Sequence, residues 1–438
     1  MKKILCIVTV ISVLTAQKQQ AQQTPADTQT DPITILGATA HIGNGEVIEN
    51  SILIFDNGKL ITVAPASVNI RPQGKIIDAK GKQVYPGFII PNATLGLGEI
   101  DAVRASLDEN EIGQMIPNVR SLIAYNAESQ VVESMRPNGV LLAQVTPRGG
   151  TLSGTSSVVQ LDAWNWEDAA VKTDGGIHVN WPNSFTRGRR FMGEDSGMKP
   201  NEKYGVVVQK IKDFMLAAHA YSFGNKEIKN LAYQAVDGLF DGSKTLYVHA
   251  DGAREITDAI QMANEIGIKK VVLVGAAEAY KTIDLLKKYN VAVLAERTHS
   301  EPGTDDDDYD LPYKLPKLLS DNGILVGLEN RGDMERMSSR NLPFYAGQVV
   351  GQGMDKETAL QLITSNTAKI LGIDKAYGTL EVGKSATLFI SDGDALDMRT
   401  NQLTHAFIDG REISLKTHQT KLYNRYKDKY QKEGLYKE

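Results

Sequence analysis

Histidines and carboxylates that follow apolar runs are the residues of this chain most able to do chemistry. His299 comes directly after the run VAVLAERT, and the four aspartates Asp305 to Asp308 follow shortly after it. Oxygen-rich clusters suit calcium, but this spacing lacks the ligand pattern of an EF-hand loop. The stretch therefore predicts either a cation site or a solvated acidic loop.

Two further histidines sit in or beside apolar runs. His249 lies in LYVHADG, two residues before Asp251, and His178 lies beside Asn180 and Trp181. Imidazole is the commonest metal ligand, but a zinc site needs three or four ligands. His249 therefore predicts either a metal ligand or a residue hydrogen-bonded to a neighbour at a strand end. We interpret His178 as structural.

The segment GGTLSGTSS, residues 149–157, carries three serines but not the Gly-x-Ser-x-Gly spacing of a nucleophile elbow. Ser153, Ser156 and Ser157 have no identifiable base partner in the sequence, so serine hydrolysis is not expected. The backbone N–H groups of this segment predict either an anion nest or a plain connecting loop.

Apolar strands that alternate with helical patterns must position these side chains. We predict helices over Ala253–Ile266, over Glu278–Tyr289 and near Pro316, each placed between apolar strands. This alternation predicts a parallel sheet with right-handed crossovers. About eight candidate strands between Val84 and Leu328 favour a closed barrel over an open sheet.

Both ends of the chain are rich in short strands. Residues Ile33 to Lys82 alternate apolar runs with turn signals, among which Asp56-Asn57-Gly58 strongly indicates a hairpin. Residues Gly378 to Ile413 show the same pattern. We expect the two ends to lie in one sheet system.

The stretch VYPGFIIPNATLGL, residues 84–97, resembles the first barrel strand of the amidohydrolase superfamily, in which Pro-Gly-Phe-Ile precedes Asp-x-His-x-His. The segments NLPFYAGQVVGQGMDKETALQLITSNTAKILGI and YGTLEVGKSATLFISDGDAL resemble the last barrel helices of this superfamily and its return to a β-sandwich. The resemblance is to imidazolonepropionase-like, metal-dependent members. It implies an α/β fold, a (β/α)8 TIM-like barrel with a small composite β-sandwich.

The resemblance and the composition together divide the chain into segments. We expect a signal peptide at 1–21, a linker at 22–32, the β-sandwich at 33–85 and 377–415, the barrel at 86–376, and a helical surface tail at 416–438.

In such enzymes the resemblance implies one or two metals, held by a first-strand His pair, a fourth-strand Lys or Glu, single His residues on strands five and six, and an Asp on strand eight. The first-strand pair falls on Asn92 and Thr94, and the fifth-strand His on His249. The sixth-strand position falls on Gly275, and the eighth on Arg331, or on Asn330 if the register shifts by one. The fourth strand offers no convincing Lys.

This set predicts a degenerate metal site with His249 as the only retained ligand position. No cofactor is expected, with zinc or another divalent metal as the alternative if the site partly functions. A guanidinium is permanently charged and would repel a divalent cation at about 4 Å by about 8 kcal/mol at an effective dielectric near 20. Arg331 predicts either a pocket for an anionic group or an internal salt bridge with the charged loop Glu99–Glu111.

The N-terminus indicates export to the periplasm or the exterior. Lys2 and Lys3 precede the apolar stretch Ile4–Ala16, which is too short to span a bilayer, and cleavage near Ala16 or Ala21 would leave no membrane anchor. A formal net charge of −5 without a basic run argues against nucleic acid as a partner. The partners that we expect are a small-molecule ligand and, in an oligomer, either a second copy of this chain (a homo-oligomer) or a related amidohydrolase (a hetero-oligomer).

Three functions follow from these residues. The first is a hydrolase acting on carbon–nitrogen bonds other than peptide bonds, which rests on the resemblance. The second is a non-catalytic binding or partner subunit of an active amidohydrolase. The third is catalysis by a rebuilt, metal-free site that uses His249, Asp251, Glu329 or Asp333.

Overall fold

The computed structural model describes residues 24–187, 197–224, 226, 228–303, 306–332 and 334–435. The predicted signal peptide lies outside the described residues, as do Asp305 and Asp333. No helix within the described ranges is long and apolar enough to cross a membrane.

Strands from both chain ends form one eight-stranded sheet, as the sequence predicts. Its order is β18-β17-β16-β5-β1-β2-β3, with β4 paired to β1. These strands are β1 Ile33–His41, β2 Val47–Asp56, β3 Lys59–Pro65, β4 Lys75–Asp78, β5 Gln83–Pro86, β16 Leu388–Ser391, β17 Leu403–Ile408 and β18 Arg411–Glu412.

The register of this sheet joins the two ends directly. Strand β5 pairs with β16, with Tyr85 opposite Phe389. The predicted hairpin joins β2 to β3, where Asn57 and Gly58 both adopt positive φ, as a tight primed turn requires. Phe55 and Phe407, which come from opposite chain ends, meet edge to face at 5.1 Å in its core.

A second eight-stranded sheet forms the barrel, in the order β15-β14-β13-β12-β9-β8-β7-β6. Its strands are β6 Phe88–Ala93, β7 Val140–Val145, β8 Leu152–Gln160, β9 Ala170–Asn180, β12 Thr245–Ala250, β13 Val271–Gly275, β14 Ala292–Ala295 and β15 Val326–Leu328. A short hairpin of β10 Phe185–Arg187 and β11 Met198–Pro200 follows β9.

One barrel strand departs from the predicted parallel pattern. The segment 148–157, which we interpreted as a loop, supplies most of β8, and this strand runs antiparallel to both β7 and β9. Only six residues connect Val145 to Leu152. A parallel crossover needs about a dozen or more residues, so this connection permits only an antiparallel return.

The last barrel strand does not pair with the first strand. The segment Leu362–Ile363 lies between them, since Ile89 N donates to Ile363 O at 2.9 Å and Leu328 N donates to Leu362 O at 3.2 Å. At this seam the barrel is therefore closed by a turn between two helices and not by strand pairing.

Helices cover the outside of the barrel, and a further helix forms most of the C-terminal tail. Those longer than one turn are α1 Tyr204–Phe223, α2 Leu231–Val236, α3 Ala253–Ile266, α4 Ile283–Tyr289, α5 Leu311–Asp321, α6 Leu342–Gly351, α7 Lys356–Gln361, α8 Ser365–Leu371 and α9 His418–Lys432. Helix α3 has the predicted bounds. Helix α9 forms the predicted surface helix of the tail, and Thr417 and Thr420 cap it reciprocally.

Candidate active site at the barrel mouth

The first barrel strand ends in two buried polar residues that bond within the protein. Asn92 adopts a φ of 50°, which asparagine tolerates better than most residues, and its Nδ2 donates to Glu329 Oε2 at 3.0 Å. Its Oδ1 accepts from Arg148 Nη1 at 3.0 Å. The Thr94 hydroxyl donates to Glu335. The groups at the predicted His-pair positions are therefore already hydrogen-bonded.

Arg148 is a second cation at the mouth that sequence reasoning missed. Its Nη2 donates to Asn92 O at 2.8 Å and to the two oxygens of Glu335 at 3.1 and 3.2 Å. It follows β7 by three residues, so its place at a strand end was the available signal.

His249 on β12 and His178 on β9 form a buried pair. His249 Nε2 lies 2.9 Å from His178 Nδ1, and His178 Nε2 lies 2.7 Å from Ser156 Oγ. Ser156 also accepts from Gln144 Nε2 at 3.0 Å. If the serine hydroxyl donates to His178 Nε2, then His178 Nδ1–H donates to His249 Nε2.

This series of hydrogen bonds corrects the expectation that none of the three serines has a base partner. Ser156 does have an imidazole neighbour, but its side chain is buried inside the barrel, so it does not become an accessible nucleophile. His178 also stacks on Tyr247 at 4.7 Å. Burial lowers the pKa of both His178 and His249 well below the usual value, so both rings are neutral at pH 7.

Arg331 reaches across the mouth to the end of β13. Its Nη2 lies 2.9 Å from both carboxylate oxygens of Asp251 and 3.3 Å from Glu296 Oε2. A Cβ atom added to Gly275 would lie 2.6 Å from that same Nη2. Asp251 Oδ1 would lie nearer still, at 2.5 Å, so the guanidinium and its carboxylate partner together fill the space that a sixth-strand side chain would need.

The charge environment of Arg331 differs from the predicted one. The loop Glu99–Glu111 does not neutralise it, because Asp101 and Glu109 pair with Arg336. Burial alone would lower the pKa of Arg331, but the nearby carboxylates outweigh it and raise this pKa above its usual value. Arg331 therefore keeps its charge and has its own counterions.

Glu329 follows the last barrel strand and is fully buried. Burial raises its pKa to about 8, although Arg331 and the hydrogen bond from Asn92 oppose this. Its Oε2 also accepts from the Arg331 backbone N–H at 2.7 Å, whereas its Oε1 has no partner among the described residues. At pH 7 Glu329 is mainly protonated, so Arg331 depends chiefly on Asp251 and Glu296.

Other candidate residues lie apart from this cluster. Asn330 Nδ2 donates to Glu335 O at 2.7 Å, which leaves Arg331 as the residue that faces Gly275. His299 Nε2 bonds to Gln348 Oε1 at 2.7 Å, and Asp308 pairs with Lys314. In the described part of the acidic loop, these contacts do not bring His299 and the carboxylates into one cation site.

The residues present do not fit the divalent metal that the family resemblance implies. The facing nitrogens of His178 and His249 bond to each other, and the Asn92 amide is bonded at both ends. Arg331 fills the space beside Gly275. Within the described ranges, no group of three or more His, Cys, Asp or Glu side chains could hold a metal ion.

A cavity of about 520 Å³ opens beside this cluster. Asp251, Gly275 and Glu296 line it on the barrel side, and the hairpin residue Phe185 and the α5 residue Leu311 line it on the other side. The volume suits one small molecule, and the position is that of ligand sites in such barrels.

The structure is a (β/α)8 TIM-like barrel with polar strand ends gathered at one mouth, joined to a sheet made from both chain ends. Residues 195–414, half of the chain, match the model of the Amidohydrolase family, and the chain belongs to this family.

Several known proteins are similar to this chain over most of its length. An adenine deaminase from Clostridium botulinum (strain 657 / Type Ba4) is 19% identical over 88% of this chain, which spans 57% of that relative. An imidazolonepropionase from Symbiobacterium thermophilum is 24% identical over 78% of this chain and 84% of its own length. The crystal structure of an amidohydrolase from Thermotoga maritima MSB8 superposes with a TM-score of 0.75 at 23% identity, covering 87% of this chain and 99% of that one.

Proposed function

We propose that this protein is a hydrolase of carbon–nitrogen bonds other than peptide bonds, and that it acts at the barrel mouth without a metal. Family membership supports the reaction class. The cavity beside Arg331 supports the place. The small volume of this cavity favours a compact substrate over a polypeptide.

The observation that carries this proposal is Glu329. It follows the eighth strand, two residues before the position where the family resemblance implies a proton-transferring Asp, and its pKa of about 8 suits acid–base chemistry near neutral pH. Hydrolysis adds the water oxygen to the carbon and returns a proton to the leaving nitrogen. Glu329 in its ionised form would accept the proton from water and then deliver it to that nitrogen. Since Glu329 is fully buried, the side chain of Arg331 must move for substrate to reach it.

The test is an assay of the protein purified with a chelator present. Adenine is the first compound to try, because one of the relatives carries the name adenine deaminase. We expect turnover that survives chelation and that Glu329→Gln lowers by about 10²- to 10⁴-fold. Glu433→Gln, which changes an exposed glutamate at the end of α9, is the matched control and should leave the rate unchanged. Activity that needs added zinc would refute the metal-free mechanism.

A second candidate function is a non-catalytic binding or partner subunit of a related amidohydrolase. The observation that favours it is the internal pairing of the mouth, in which Arg331 bonds to Asp251 and Arg148 bonds to Glu335. Such a subunit would show no catalytic activity when purified alone. Co-expression with a related barrel from a neighbouring reading frame, followed by mass measurement of the complex, would distinguish it from a hydrolase.

Export is also proposed, on the basis of Lys2, Lys3 and the apolar stretch Ile4–Ala16, which lie outside the described residues. N-terminal sequencing of the protein from the periplasm or the medium tests this. A mature chain that begins near Gln17 or Gln22 is the expected result, whereas an intact Met1 in the cytoplasm would contradict it.

A further inference from the structure

The cavity at the mouth has an apolar wall and a charged wall. Phe185, Met198, Leu311 and Leu315 supply apolar surface from the β10–β11 hairpin and helix α5. The opposite wall consists of the ends of β12, β13 and β14. A ligand in this space therefore meets carbon on one side and charge on the other.

The charge of this lining is strongly negative. Among the residues that the structure describes, six carboxylates and two arginines line the cavity: Asp251, Glu255, Glu278, Glu296, Glu301, Asp307, Arg254 and Arg297. Asp251 and Glu296 share Arg331, and Glu278 bonds to Lys281 at 2.6 Å. Even with Arg331 included, carboxylates outnumber the cations at this wall. The lining thus opposes the anionic ligand that Arg331 alone predicted.

Glu255 is the residue that points to a ligand. It is 94% buried on helix α3, and its Oε1 accepts from the Ser184 N–H at 2.6 Å. Its Oε2 lies against Gly252, where an added Cβ would be 2.1 Å away, and accepts no hydrogen bond from the residues the structure describes. Glu255 also lies in the first turn of α3, where the helix N-terminus favours a carboxylate, and it lines the cavity, so a cation held there can pair with it.

We propose that this cavity binds a small organic cation, a protonated amine or a guanidinium, whose charged head bonds to Glu255 and whose apolar body packs on Phe185 and Leu311. The inference rests on the proposed function, because it names the class of compound that the same mouth takes. The face of the Phe185 ring also attracts a cationic head group that lies close to it, through a cation–π interaction. Charge-assisted bonds to carboxylate are the strong ones, so the amine should dominate recognition.

The experiment compares three probes of matched shape on the intact protein by calorimetry: phenethylamine, 2-phenylethanol and phenylacetate. We expect phenethylamine to bind about tenfold or more tightly than the alcohol, and phenylacetate to bind most weakly. Glu255→Gln keeps an oxygen for the Ser184 N–H but removes the charge, and it should weaken phenethylamine by about tenfold. Glu265→Gln, an exposed site on the same helix, is the matched control and should change binding by less than about twofold.

One further variant, together with the ranking of probes on the native protein, keeps the outcome decisive. Phe185→Ala should weaken the amine and the alcohol alike, and the ranking of probes on the native protein holds even if Glu255→Gln fails to fold. Equal binding of all three probes, or tightest binding of phenylacetate, would overturn the inference. Amine binding without any carbon–nitrogen hydrolysis would refute the proposed function and leave this inference intact.

Discussion

Replacing Arg331 with alanine tests the central feature of the mouth, a tethered cation between two carboxylates. The substitution removes the bonds to Asp251 and Glu296 and leaves both carboxylates facing each other beside Glu329. Breaking a fully buried ion pair costs about 3–5 kcal/mol. Here the Asp251 side chain is 47% exposed and that of Glu296 33%, so water screens much of this loss. We therefore expect the free energy of unfolding to fall by about 1–2 kcal/mol.

The assay is urea unfolding followed by circular dichroism near neutral pH. Arg340→Ala removes an exposed arginine a few residues away and should change stability by less than about 0.5 kcal/mol. Guanidinium ion at low millimolar concentration, well below denaturing amounts, should restore part of the lost stability by entering the vacated space.

The reasoning would be refuted by an Arg331→Ala variant as stable as the native protein. It would also be refuted if the variant lost stability that added guanidinium ion did not partly restore. The first result would mean that the carboxylates do not depend on this arginine. The second would mean that the loss comes from packing alone.

Three further predictions follow from the same cluster. Gly275→Ala should lower the free energy of unfolding by about 1–3 kcal/mol more than Gly267→Ala, because both glycines have a similar positive φ but only Gly275 has Arg331 against it. Equal losses of stability in urea titrations of the two variants would exclude that contact. Because the pKa of Glu329 is raised in the folded protein, its carboxyl ionises first in the unfolded chain. The free energy of unfolding should therefore fall as pH rises from about 5 toward 8, by up to about 1.4 kcal/mol per pH unit, and Glu329→Gln should lack this pH dependence. Added zinc should raise the melting temperature of neither the native protein nor His249→Ala, and a stabilisation that required His249 would restore the metal-dependent interpretation.

Much of the fold could be predicted because burial leaves a periodic record in the sequence. The apolar runs that became β12, β13 and β14 have side chains packed on both faces, and helix α3 was predicted to its end residues because Gly267 terminates it in a left-handed turn. Most of strand β8 escaped prediction, because the residues that follow Leu152 in it are serine, glycine and threonine. Small polar residues carry no apolar pattern, and here only the neighbouring strands stabilise them as a strand.

Local sequence also determined which side chains stand at the strand ends. The order of residues after each apolar run placed Asn92, Gly275 and Arg331 at the mouth, since parallel strands end on the same side of a barrel. That order is also the basis of the prediction that several of the family's ligand positions have changed.

Only the tertiary structure decided how these side chains pair. Arg331 meets Asp251 and Glu296 from two other strands, and His178 meets His249 across adjacent strands. Such pairings depend on barrel curvature, strand stagger and side-chain length, none of which a local pattern records. Burial is also a property of the whole fold, and it raises the pKa of Glu329 to about 8. For this reason the sequence predicted which side chains stand at the mouth, but only the fold revealed that a cation and its carboxylates pair there.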